Sequence, residues 1–312
     1  KDETDSGNEF NRTLSEIAAE VESNNFDMFV SIHSNAASEG NTTNYLYFCL
    51  DGYADAASEK IATSKEMSRC GWNHRILDRH TMWTHYDYTM TAADLAAGKG
   101  KIAQQNLGVL NHTVPGYLVE GYFHTYQPAR HRGMNFDVDR LEGIDYARGV
   151  ADYFMWEKEE TGNIYGIVRD KNESLEHDLY TYNPKTPDKF KPLNDIDVTL
   201  KDSEGTVVGT YKTDVNYNGA FVFMNVNAGD YTVEFSHPDY QNAEPISVTV
   251  EAAKTSYPTA FIENTSSVEG IAIDESDEPA SYYNLQGIKV ANPSNGVFIK
   301  VQGEKASKVF VK

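Results

Sequence analysis

Apolar and polar positions follow two different rhythms along this chain. Residues 11–24 place Leu14, Ile17, Ala18 and Val21 at i, i+3, i+4 and i+7, the stripe of an amphipathic helix, and Asn24-Asn25 supplies its stop. Residues 28–32 are a short apolar run broken only by Ser31, which predicts a strand buried on both faces, as in a parallel sheet. Residues 44–50 are rich in aromatics and predict a second strand. Residues 53–70 predict a helix with Ala57, Ile61 and Ser64 on one side and Gly71-Trp72 at its end. Residues 117–119 form another apolar strand, and residues 141–156 a last helix with Ile144, Ala147, Ala151 and Phe154 on its buried stripe. Helices and strands joined by short connections predict an α/β layer, a mostly parallel sheet with flanking helices.

Beyond a charged break at residues 157–161 the rhythm changes to short strands between turn residues. Residues 163–170, 196–200, 207–211, 220–223, 231–235 and 246–250 alternate as strands. Asp202-Ser-Glu-Gly205, Asn216-Tyr-Asn-Gly219 and Asn227-Ala-Gly-Asp230 are the turns between them. That spacing predicts an all-β sandwich. Residues 171–192, with Pro184, Pro187 and Pro192, read as a long insertion loop. A polar, acidic linker over residues 266–278 leads to strand-like residues 282–290, 296–301 and 308–312, a small β tail. The expected domains are 1–158, 162–264 and 265–312, with the sandwich folding by itself.

Composition narrows the function classes. A formal net charge of −20 argues against a general nucleic-acid binder, which needs a basic patch. No apolar run approaches the roughly 20 residues of a membrane helix. Cys49 and Cys70 are the only cysteines, with neither CxxC nor HExxH present. One disulfide or two thiols are both compatible with that count.

Two strand ends carry candidate chemistry. The 28–32 strand ends in His33, within Ser31-Ile-His-Ser-Asn-Ala36. Ligands bind at the carboxyl ends of strands in open α/β sheets, so an imidazole there is placed to meet a metal or a substrate. The 117–119 strand ends in Glu120-Gly121. A carboxylate closing a buried strand is costly unless it is paired or functional, and Arg75 or Arg130 are its candidate ion-pair partners. His74, Arg75, Arg79, His80, Trp83, His85, Tyr86 and Tyr88 crowd one polar-aromatic stretch. It reads as an irregular surface segment or as one wall of a substrate groove.

The Ser31–Ala36 hexapeptide resembles the zinc-binding motif of the zinc-dependent N-acetylmuramoyl-L-alanine amidases. The segment from Leu107 through Pro115 to Glu120-Gly-Tyr-Phe123 resembles their second motif, although His124-Thr-Tyr126 stands where the family has a serine-asparagine pair. The resemblance covers residues 1 to about 158. It implies that His33 is a zinc ligand, that Glu120 is the carboxylate that takes a proton from the attacking water, and that Asn35 orients substrate. It implies a peptidoglycan hydrolase cutting the amide between N-acetylmuramic acid and L-alanine. The family's other two ligands, a histidine and a glutamate, fall upstream of Lys1, so the zinc site is expected to be incomplete over these residues and the chain as given inactive. Thr213-Asp214 and Gly229-Asp-Tyr231 resemble carboxypeptidase regulatory-like modules, and residues 282–312 resemble the sorting domains of type IX secretion. An extracytoplasmic place is expected, which the acidic charge fits. The competing expectation is a non-catalytic protein that binds the cell wall or another surface partner.

Overall fold

The structure, a computed structural model, describes residues 12–36, 46–50, 57–74, 86–90, 108–110, 112–177, 180–240, 243–264, 279–303 and 305–311. They fall into two compact units, residues 1–238 with 242–263, and residues 239–241 with 264–312.

Helix α1 (Leu14–Asn24) begins with a capping box. The Glu16 amide donates to Thr13 Oγ1, the Thr13 amide donates to Glu16 Oε2 at 2.7 Å, and Asn25 ends the helix at φ 51°. Strands β1 (Phe29–Asn35) and β2 (Leu46–Leu50), helix α2 (Ala57–His74), and strands β3 (Tyr86–Met90) and β4 (Gly116–Phe123) follow. The four strands form one sheet in the order β1-β4-β2-β3. β1 with β4 and β2 with β3 are parallel pairs, while β2 meets β4 antiparallel. The sheet is therefore mixed, and the expected mostly parallel arrangement holds only within each pair. Short helix α3 (Gln127–Arg132) and helix α4 (Phe136–Tyr153) complete the layer. Asn135 caps α4 by accepting from the Asp137 and Val138 amides.

Three expectations for this layer are corrected. Gly71-Trp72 does not end α2, which runs on to His74. A Cβ on Gly149 of α4 would lie 2.6 Å from Gly71 Cα, so this glycine pair serves close helix packing rather than termination. The buried residues of α4 are Val138, Leu141, Asp145, Tyr146, Arg148 and Gly149, whereas Ala147 is exposed. The apolar pattern misled here because Asp145 and Arg148 are buried as a pair, joined at 3.0 Å. β1 is not buried on both faces: it is an edge strand of the described sheet and Ile32 is 57% exposed.

Strands β5 (Thr161–Asp170), β6 (Asp197–Lys201), β7 (Val207–Lys212), β8 (Ala220–Asn227), β9 (Gly229–Ser236), β10 (Ile246–Val250), β11 (Thr255–Ser256) and β12 (Thr259–Ile262) follow the turn-punctuated pattern. One sheet has the antiparallel order β10-β9-β6-β7. In the other, β5 is flanked by β8 on one side and by β11 and β12, both parallel to it, on the other. The hydrophobic core does not stop at residue 160. Met67, Tyr117, Val119, Val138, Leu141 and Tyr146 of the α/β layer form one buried cluster with Tyr165, Ile167, Ala220 and Val222 of the sandwich.

The second unit is a four-stranded antiparallel sheet, β14-β13-β15-β16, from β13 (Ser281–Tyr283), β14 (Lys289–Val290), β15 (Gly296–Gln302) and β16 (Lys305–Val311).

Candidate functional site

The register of β1 against β4 decides where the chemistry sits. Gly116 opposes Phe29, and a Cβ at Gly116 would lie 2.0 Å from the Phe29 carbonyl oxygen. Only glycine permits that approach. The Gly116 amide donates to Ser64 Oγ of α2 at 2.9 Å, and the Phe29 amide donates to the Pro115 carbonyl at 3.0 Å. Pinned there, the strands advance in step through Val30↔Tyr117, Ser31↔Leu118 and Ile32↔Val119 to His33↔Glu120. Opposed residues of a parallel pair sit on the same face, and neighbouring strands lie about 4.8 Å apart. His33 and Glu120 are thus side by side at the carboxyl edge. A register shift between His33 and Asn35 then breaks the ladder.

Glu120 lies between the fully buried Val119 and the buried Gly121. Its Oε2 is buried and has no hydrogen-bond partner among the described residues. Burial pushes its carboxyl up to about 7. Among the described residues no ion pair involves Glu120: Arg130 is exposed on α3, and Arg75 lies outside the described residues. A carboxyl that changes charge near neutrality is suited to accept a proton and return it.

His33 is exposed, with Nε2 2.9 Å from Ser31 Oγ on the same face. A second imidazole joins this edge: His124 Nδ1 is 3.0 Å from Ser34 Oγ. In the sequence His124 is a departure from the amidase motif and, with His80 and His85, a candidate to complete the site; its offset of four residues from Glu120 puts it just past the strand end. Asn35 belongs to β1, but its side chain lies outside the described residues, as do His80, His85, Arg79 and Trp83. His74 turns away from the site into α4, with Nε2 2.8 Å from Asp152 Oδ2. Cys70 is a free thiol, which burial raises above its ordinary value.

A hydrolytic zinc ion takes three protein ligands and one water. Among the described residues no group of three His, Cys, Asp or Glu side chains is placed to hold a metal. His33 is one suitable ligand, and the described residues do not by themselves fit the ion.

A family model describing an SdrD B-like domain matches residues 184–278, the insertion loop onward. Curated relatives include the bone sialoprotein-binding protein and serine-aspartate repeat-containing protein E of Staphylococcus aureus, each 48% identical over 46 residues. That stretch is 15% of this chain, and the chain spans only 4% of the length of these relatives. Among solved structures, the CwlD amidase from Clostridioides difficile in complex with the GerS lipoprotein is similar over 46% of this chain and 60% of its own. The identity there is 18% and the TM-score 0.32. The minor pilin GBS52 of Streptococcus agalactiae is similar over 34% of this chain and 46% of its own, at 18% identity and a TM-score of 0.26. Neither likeness reaches the level at which a shared fold is established.

Proposed function

We propose that this chain is part of an extracytoplasmic peptidoglycan hydrolase that cleaves the amide between N-acetylmuramic acid and the L-alanine of the stem peptide. The observation that carries the reading is the pairing of His33 with Glu120 at the ends of two adjacent parallel strands. Glu120 takes the proton from the attacking water and delivers it to the leaving amine, for which a carboxyl pushed up to about 7 is matched. Zinc is the proposed cofactor. It would supply an activated water when bound, with His33 as one ligand and the rest outside the described residues. Asn35 is the proposed substrate-orienting residue.

The test is digestion of purified peptidoglycan by the full-length natural protein, reading the release of stem peptides with a free L-alanine amine. Release that Glu120→Gln abolishes supports the reading. Release of glycan fragments instead, or none from a zinc-loaded protein, sinks it.

The SdrD B-like match favours a second reading, a non-catalytic protein that binds at a cell surface. The curated relatives are, by name, a bone sialoprotein-binding protein and a serine-aspartate repeat-containing protein. No described helix is long and apolar enough to cross a membrane. Zinc content separates the readings, since a pure binder holds no stoichiometric zinc.

A further inference from the structure

The α/β layer and the sandwich meet at a cluster the proposed hydrolysis does not use. Arg132 ends α3, Arg169 lies near the end of β5, and Asp188 sits in the 3-10 turn Pro187–Lys189 of the insertion loop. All three side chains are 2% exposed or less. Arg132 Nη1 donates to Asp188 Oδ1 at 2.8 Å, and Arg169 Nη2 donates to the same oxygen at 3.1 Å. Tyr126 Oη donates to Asp188 Oδ2 at 2.9 Å.

Among the described residues, one carboxylate therefore faces two guanidinium groups. Arg132 Nε and Nη2 and Arg169 Nη1 are buried with no hydrogen-bond partner among the described residues. Removing a charge from water without compensation costs several kcal/mol. Tyr126, Tyr165 and Tyr180 interact with these charges, but burial raises all three hydroxyls, so none supplies a negative charge near neutrality. A water molecule would accept from the spare N–H groups but would leave the excess positive charge in place.

We propose that the Arg132–Arg169 pair is a binding site for one small monovalent anion of the halide class, which locks the insertion loop between the two layers. The enclosure of the side chains limits the ligand to a small ion. A doubly charged phosphate would overshoot the single uncompensated charge.

The test uses the full chain at fixed ionic strength, replacing sodium gluconate stepwise by sodium chloride or bromide and reading the thermal midpoint. The expected result is a saturable rise of about 2–4 °C in either halide, as mass action on the folded state requires. Arg169→Met leaves one guanidinium for one carboxylate and should remove the halide dependence. If that variant does not fold, a bromide-soaked crystal of the unaltered protein decides, with an anomalous peak expected within hydrogen-bond reach of both guanidinium groups. Equal midpoints in gluconate and halide overturn the proposal. So does a halide response undiminished in Arg169→Met, or bromide bound elsewhere only.

Discussion

Glu120 is the residue on which the functional reading turns, and its burial has a consequence that does not involve substrate. Its carboxyl is raised above the ordinary value of 4.5 to about 7, so the folded protein holds this proton more tightly than the unfolded chain. Stability is therefore undiminished below about pH 4.5 and falls as pH rises through about 7. Glu120→Gln, which keeps the shape without the charge, should raise the thermal midpoint at pH 8 and change nothing near pH 4. Equal effects at both pH values would contradict the assignment. The opposite experiment applies to Asp188, which the two arginines hold below its ordinary value despite its burial. Asp188→Asn leaves two buried guanidinium groups facing no charge, and a loss of about 3–5 kcal/mol is expected in chemical denaturation. His33 and Glu120 were both legible in the sequence because each closes an apolar run. Arg132 and Asp188 were not, since a short helix and an irregular loop carry no period that marks burial.

Among the elements, the β1–β4 pair has the most to lose from a small change. Its register depends on a close approach of the Phe29 carbonyl that only glycine allows, since a Cβ at position 116 would lie 2.0 Å from that oxygen. Gly116→Ala should push the strands apart, cost about 1–3 kcal/mol or more, and separate His33 from Glu120, so that activity falls further than stability does. Retained activity with full stability would show that the register is not what assembles the site. Strand and helix positions were largely legible, because short apolar runs mark β1 and β4, a period of 3.6 marks α1, and turn residues punctuate the sandwich strands. The pairing directions were not. Nothing in the local pattern of β2 says that it meets β4 antiparallel, since that choice is made by connections and neighbours. The end of α2 was misplaced for a related reason: Gly71 answers to Gly149 of α4, a contact between residues far apart in sequence.

At the scale of the whole molecule, the turn-rich texture after residue 160 marks where one sheet system gives way to another, yet the core crosses that line. Tyr165, Ile167, Ala220 and Val222 pack with Tyr117, Val119 and Leu141, so the sandwich taken alone would expose apolar surface that the α/β layer covers. Residues 162–264 expressed alone should unfold at a lower temperature than the longer chain and bind a hydrophobic dye more strongly. Equal midpoints would show that the shared core contributes little. The coupling gives the sandwich a reason to accompany the proposed catalytic layer, since it covers apolar side chains of α4 and of β4, the strand that carries Glu120. The central claim is that His33 and Glu120 act together on a peptide-bearing glycan, and it is tested most directly by measuring zinc content and muropeptide release side by side. In the full-length natural protein, Glu120→Gln should keep one zinc per chain and lose about 10²–10⁴-fold in release, while His33→Ala should lose both zinc and activity. A Glu120→Gln protein as active as its parent, or a His33→Ala protein with full zinc and full release, would contradict the account.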